Sequence, residues 1–257
     1  MEYIIICLVA FIASILTFFS GFGLGTILLP AFSLFFPVEI AIALTGVVHF
    51  FNNIYKLLLV GKNAKRHVLI YFGIPAVIAS FLGAYLLINI TDLTPLYKYT
   101  INSKEFTITP VKLIIAILLI VFAIIELLPF LKKLNFKKKH LPIGGFLSGF
   151  FGGLSGHQGA LRSAFLINTG LTKEAFIGSA VVISAFVDFT RISMYSTRFL
   201  ESGLNDNIPL ILCATISAIV GAYFGNKMLK KVTLEFIQKL VAVLLIVISI
   251  AIGVGLL

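Results

Sequence analysis

The chain alternates long apolar stretches with short polar ones. Apolar runs occupy residues 3–36, 38–61, 68–90, 111–131, 141–170, 175–199, 208–229 and 240–257. A helix needs about 20 apolar residues to cross a bilayer, and most of these runs have that length. The first and the fifth are too long for one crossing and are interrupted, the first by Gly21-Phe22-Gly23-Leu24-Gly25 and the fifth by Gly152-Gly153-Leu154-Ser155-Gly156. Glycine costs about 1 kcal/mol in a helix interior, so each of these two runs is expected to divide into two shorter helices that meet at a glycine tip.

The pattern also repeats. Phe51-Asn52-Asn53-Ile54-Tyr55-Lys56 aligns with Phe186-Val187-Asp188-Phe189-Thr190-Arg191, Gly83-Ala84-Tyr85 aligns with Gly221-Ala222-Tyr223, and residues 113–124 resemble 240–251. The expected organisation is a first membrane repeat, 1–131, a basic linker, 132–140, and a second membrane repeat, 141–257. The linker, Lys132-Lys133-Leu134-Asn135-Phe136-Lys137-Lys138-Lys139-His140, is the clear break in composition.

Lys and Arg gather in the cytoplasmic loops of membrane proteins, so their placement tests the topology. If both long runs crossed once, giving eight spans in two parallel repeats, one side would carry nine and the other eight, which is no bias. If the fifth run dips in and returns, Lys173, Lys227, Lys230, Lys231 and Lys239 join the linker side and Arg198 leaves it, giving thirteen against four. The count is silent on the first run, whose N-terminal flank has no Lys or Arg, and the repeat alone argues that it dips too. The expected fold is then all-α: each half has three spanning helices plus a glycine-tipped re-entrant hairpin, and the odd number of crossings makes the halves inverted repeats. The basic loops are then cytoplasmic, and residues 91–110 form an external loop.

Composition agrees with a lipid-embedded chain, since 60% of the 257 residues are apolar and 12% charged. The net charge of +10 is accounted for by loop placement, which sets nucleic acid aside as a partner. Cys7 and Cys213 both lie in apolar runs, so no disulfide or metal framework is expected, and no cofactor motif is present. The start, Met1-Glu2-Tyr3, lacks the basic region of a cleavable signal, so the first run is expected to remain in the mature protein.

Few ionisable side chains lie deep in the runs: Lys56, Arg162, Asp188 and Arg191, with His49 and His157 able to stay neutral. A charge at the bilayer centre costs roughly 3 kcal/mol or more, so such residues face protein or water and mark function. Asp188 and Arg191 lie three apart on one helix face and can neutralise each other, while Lys56 is close enough to Gly61 to snorkel. The balance of these four is an excess of positive charge, which favours an anion. The tips point the same way, because a restarting helix presents unpaired N–H groups and the positive end of its dipole. The candidate anion-binding set is Gly23, Gly25, Asn53 and Lys56 from the first half, with Gly156, His157, Gln158, Arg162, Asp188 and Arg191 from the second. Gly144-Gly145 and Ser148-Gly149 read instead as helix-packing contacts.

These residues resemble a known family. Gly21-Phe22-Gly23-Leu24-Gly25 with Pro30-Ala31-Phe32, and residues 144–153 leading into Ser155-Gly156-His157-Gln158-Gly159-Ala160-Leu161-Arg162, are similar to the paired motifs of TauE/SafE sulfite exporters and organosulfonate permeases, the TSUP family. The resemblance covers nearly the whole chain. It implies a permease for a small inorganic or organosulfur anion, such as sulfite, in the inner membrane of a prokaryotic cell. One departure is visible: Gly156-His157-Gln158-Gly159 with Ser163 replaces a run of three glycines and a following proline.

Two other classes compete with this reading. Gly153-Leu154-Ser155-Gly156 fits the G-x-S-G pattern of rhomboid-type intramembrane proteases, but no histidine follows His157 to serve as base. A cation channel or membrane scaffold conflicts with the positive excess at depth. No nucleotide motif is present, so energy comes from the substrate's gradient or from a coupled ion; for a proton, His157 and Asp188 are the candidate carriers. The oligomeric state leaves no mark on the sequence.

Overall fold

A computed structural model describes the chain apart from residues 19–22, 128–135, 137, 167–168, 200–206 and 229–233. Its helices, in order, are α1 (Glu2–Thr17), α2 (Leu24–Ser33), α3 (Val38–Val60), α4 (Arg66–Thr91), α5 (Pro110–Leu127), α6 (Leu141–Ser155), α7 (Gly159–Leu166), α8 (Lys173–Phe199), α9 (Ile208–Met228) and α10 (Leu234–Gly253). The protein is a mostly helical membrane protein. Among the described residues, four stretches are long and apolar enough to cross a bilayer: Val38–Asn63, Arg66–Thr91, Lys173–Ser196 and Ile208–Lys227. Their outward faces carry bare apolar side chains, such as Leu58 at 78% exposure and Ile216 at 61%, as a helix solvated by lipid requires.

Both long apolar runs are broken. In the fifth, α6 stops at Gly156, whose left-handed backbone (φ 81°) is open to glycine without strain, and the Gly156 N–H caps the helix on the Gly152 carbonyl at 3.0 Å. The chain restarts as α7 and folds back, so that Phe165 near its end lies over Gly144 near the start of α6. A Cβ on Gly144 would sit 2.3 Å from the Phe165 ring. In the first run, α1 ends at Thr17 and α2 restarts after Gly23, whose carbonyl accepts the Thr26 hydroxyl at 2.7 Å. Gly21 and Phe22 of that tip lie outside the described residues.

Helix α6 packs on α4 through a stripe of glycines. A Cβ on Gly145, Gly149 or Gly153 would meet the backbone oxygen of Phe72, Ala76 or Ser80 at 2.1, 1.9 and 2.1 Å. The partners rise together along both helices, so α4 and α6 run parallel. Gly83 completes the contact from the other side, its absent Cβ falling 2.0 Å from the Phe150 oxygen. Helix α9 meets α1 in the same manner, with Gly221 against the Phe11 oxygen (2.3 Å) and Gly225 against the Ile15 oxygen (3.1 Å). In lipid, tails are as apolar as leucine, so this close backbone approach is what holds helices together. Helix α3 packs against α8, and α5 against α10.

The external loop expected at 91–110 carries structure that the all-α expectation did not contain. Strands β1 (Tyr97–Ile101) and β2 (Lys104–Ile108) pair antiparallel around Asn102 and Ser103, both with positive φ (49° and 63°), the turn that suits a right-twisted hairpin. Tyr99 stacks on Phe106 with ring centres 5.5 Å apart, and its hydroxyl donates to the Val254 carbonyl beyond α10. Of the basic linker, Phe136 and the single turn Lys138–His140 are described; Phe136 stacks on Phe165 at 4.1 Å.

The glycine stripe makes a direct prediction. Gly149→Ala pushes a methyl group into the Ala76 backbone, which has no rotamer to yield, so the loss is expected to exceed the 1–3 kcal/mol or so typical of an overfilled core. Leu58→Ala, on the lipid face, is the control. Thermal unfolding in detergent should show a large drop for the first and little for the second; equal melting temperatures would refute the packing account.

Candidate functional site

The packing of α3 on α8 brings two polar stripes face to face. On α3, Thr45, His49, Asn52, Asn53 and Lys56 recur at helical spacing and all are buried; on α8 the stripe is Ser184, Asp188, Arg191 and Tyr195. Asp188 is at the centre and has no solvent exposure. Its Oδ2 lies 2.6 Å from His49 Nδ1 and accepts from Asn53 Nδ2 at 2.9 Å. Its Oδ1 accepts from Arg191 Nε at 3.0 Å and from Gln158 Nε2 at 3.5 Å, with Arg191 NH2 at 2.9 Å. A buried carboxylate is tolerated only when charge and lone pairs are both answered, and here both oxygens are engaged. Because a carboxylate only accepts, its neighbour His49 Nδ1 carries the hydrogen.

Arg191 is likewise fully buried, and Tyr195 beside it donates its hydroxyl to the Gly153 carbonyl. Glycines make the room for it: a Cβ on Gly46 of α3 would lie 3.3 Å from the guanidinium carbon, and one on Gly156 would lie 2.6 Å from NH1. The two tips also touch, since a Cβ on Gly25 would lie 3.7 Å from the Gly156 oxygen. Both broken helices therefore end at the Asp188 cluster.

Beside this cluster is a small cavity, with Thr17, Gly23, His49, Asn53, Lys56, Arg162 and Ser184 as its polar lining and Phe18, Leu24, Phe176, Ile177, Ala180 and Val181 as its apolar lining. Lys56 and Arg162 are its cations, and no carboxylate is among the described lining residues. Lys56 Nζ donates to the Asn52 amide oxygen at 3.1 Å and sits 5.3 Å from the centre of the Phe18 ring; the Asn52 nitrogen is spent on Ser14 Oγ and the Ala218 carbonyl, each at 3.2 Å. Arg162 NH1 donates to Ser184 Oγ and, at 3.3 Å, to Gln158 Oε1, while its buried Nε has no partner among the described residues. Gln158 thus ties Asp188 to Arg162, and its own carbonyl is fixed by Ser148 Oγ at 2.9 Å.

The sequence-derived candidates fall into three positions. Gly23, Asn53, Lys56 and Arg162 line the cavity. Gln158, Asp188, Arg191, Gly25 and Gly156 lie around it and are not among its lining residues; Arg191 makes the ion pair with Asp188 that their i, i+3 spacing allows. His157 is apart from both: it stacks on Phe122 of α5 (5.7 Å, 10°), with Nδ1 3.0 Å from the Ser155 carbonyl. Lys56 is 5% exposed and does not snorkel. His49 at the centre, Asn52 and Ser184 were not in the sequence-derived set. The signal for the first two was the polar periodicity of α3; Ser184 carried none, since one serine in an apolar helix is ordinary.

The family model described as sulfite exporter TauE/SafE matches residues 6–252, a stretch that contains both tips and every residue of the cluster. The chain belongs to the TauE/SafE family. No curated protein and no solved structure matches it. As a TauE/SafE protein it is a membrane transporter and not an enzyme. The G-x-S-G serine has a plain structural place in this TauE/SafE chain, its Ser155 hydroxyl donating to the Phe151 carbonyl at 3.1 Å.

Removing one partner of a buried ion pair leaves the other charge stranded, at a cost of about 3–5 kcal/mol. Asp188→Asn and Arg191→Gln are each expected to lower the melting temperature of the purified protein sharply, and the double variant is expected to cost less than their sum. Additive losses in a double-mutant cycle would show that the two groups do not act as a pair.

Proposed function

We propose that the protein moves a small oxyanion across the bilayer, sulfite or another sulfur-containing oxyanion or organosulfonate, and binds it in the cavity between Lys56 and Arg162. The observation that carries this reading is the pairing of two buried cations with no carboxylate among the described lining residues. Arg162 supplies a planar fork whose Nε has no partner among the described residues, and Lys56 supplies a point charge. Gly23, at the start of α2, adds the positive end of a helix dipole. The Asp188 cluster holds the site from behind and keeps the carboxylate from competing with the anion for the two cations.

The architecture in this proposal is that of inverted repeats: 1–131 and 141–257, each with three crossings and a re-entrant hairpin, joined by a cytoplasmic linker, 132–140, in a prokaryotic cell membrane. It is supported by the exchange of contacts between halves. Helix α4 of the first half packs on α6 of the second, α9 of the second packs on α1 of the first, and α3·α8 and α5·α10 pair like with like. It is also supported by Phe165 lying over Gly144, which returns the second hairpin to the side where it began.

Two measurements test the proposal. Arg162→Gln and Lys56→Gln each remove a charged hydrogen bond worth about 1.5–3 kcal/mol, so affinity for the transported anion should fall roughly ten- to a hundredfold in a screen of sulfite, sulfate, thiosulfate and sulfoacetate. Arg162→Lys should recover only part of the loss. Full affinity in both Gln variants would overturn the site. For the topology, single cysteines at Lys62 and Lys173 should react with an impermeant thiol reagent from the cytoplasm and one at Lys104 from outside. Labelling of Lys62 and Lys173 from opposite faces would sink the hairpin arrangement.

A further inference from the structure

His49 and Asn53 both belong to the cavity and to the Asp188 cluster, and His49 does so through opposite edges of its ring. Nδ1 is 2.6 Å from Asp188 Oδ2, whereas Nε2 is turned to the first tip, where a Cβ on Gly23 would lie 3.3 Å from it. Gly23 and His49 both line the cavity. With the hydrogen on Nδ1, Nε2 is left as an acceptor, on the edge of the ring that meets Gly23 in the lining of the cavity shared with Lys56 and Arg162. His157 has no such position, since it rests on Phe122 and the Ser155 carbonyl.

Resting on the anion-binding reading above, we propose that His49 is the proton-binding group of the transport cycle, and that each anion travels with one proton held on His49 Nε2. The step is a simple association: a proton from the water that reaches the cavity adds to the Nε2 lone pair, and the imidazolium that forms keeps its Nδ1 hydrogen on Asp188. On the far side the same proton leaves from the same atom.

The charges facing the ring make the two ligands depend on each other. Asp188 and Arg191 come from α8, Lys56 from α3 itself and Arg162 from α7, while Tyr195 and His157 are the neutral titratable groups nearby. Three cations against one carboxylate resist a further positive charge on the empty site. An anion seated between Lys56 and Arg162 offsets that excess and contributes an acceptor for Nε2–H. Linkage is reciprocal, so if the anion favours the proton, the proton favours the anion by the same factor. A monovalent anion then crosses with no net charge. Asp188 serves as the fixed counter-charge that makes the imidazolium tolerable in a buried place.

Proton uptake on binding tests this directly. Calorimetric titration with sulfate, thiosulfate and methanesulfonate is carried out near neutral pH in buffers of different ionisation enthalpy; these anions do not titrate themselves there, unlike sulfite. The unmodified protein should take up a proton, about one per anion at the alkaline end, and its affinity should rise up to tenfold per unit fall in pH across the histidine range. His49→Asn keeps an N–H donor toward Asp188 but lacks Nε2, and should bind with no proton uptake and a flat pH dependence. His157→Gln should retain both. Binding by the unmodified protein without proton uptake overturns the inference and leaves the anion site standing, whatever the variants do. So does unchanged uptake in His49→Asn, or its loss in His157→Gln. Absence of binding by any sulfur oxyanion removes the anion reading itself and this inference with it.

Discussion

Everything around the cavity depends on one carboxylate kept out of water. Asp188 has no exposure and takes donors from three separate parts of the chain: His49 and Asn53 on α3, Arg191 on its own helix, and Gln158 in the second tip. Each donor would be costly to bury alone, and the carboxylate would be costlier still. Together they fix the rotation of α3 against α8 and the depth at which the second tip stops. Among the described residues, Arg162 hydrogen-bonds only to neutral oxygens, those of Ser184 and Gln158.

The neighbouring glycines have a different role from the one their density suggests. Two of them, Gly23 and Gly156, mark the helix breaks. Others are spaces where another backbone sits: the carbonyls of Phe72, Ala76 and Ser80 occupy the positions that Cβ atoms would take on Gly145, Gly149 and Gly153. Contacts of this kind are needed in lipid, where apolar side chains gain nothing from turning inward. The same residue type therefore supplies both the break and the clamp, and only the carbonyl facing each glycine tells which.

The sequence carried the helices and breaks clearly because membrane burial writes them as unbroken apolar runs with glycine interruptions. It also carried Lys56, Arg162, Asp188 and Arg191, since a charge in such a run is conspicuous. The Asp188–Arg191 pairing was legible as an i, i+3 spacing, whereas the contacts of His49 and Asn53 with Asp188 were not, because they depend on the α3·α8 packing of residues far apart in the chain. Hence His49, which meets both Asp188 and the cavity, lies outside the sequence-derived set, while His157 is in it because it stands beside a glycine tip. The β-hairpin was hidden for another reason. Its alternation in Tyr97-Lys98-Tyr99-Thr100-Ile101 is short, and its turn is Asn-Ser in place of the more telling Asn-Gly.

The interlocked backbones of α4 with α6 and of α1 with α9 limit how the molecule can move. Helices that meet carbonyl to glycine cannot slide by a residue without driving a side chain into a peptide oxygen, so each pair travels as a single beam. Each beam joins an arm of one broken helix to a long helix from the other half of the sequence. The boundary between moving parts therefore does not follow the boundary between the halves of the polypeptide: any rearrangement that opens the cavity to alternate faces shifts composite units, each drawn from both ends of the chain.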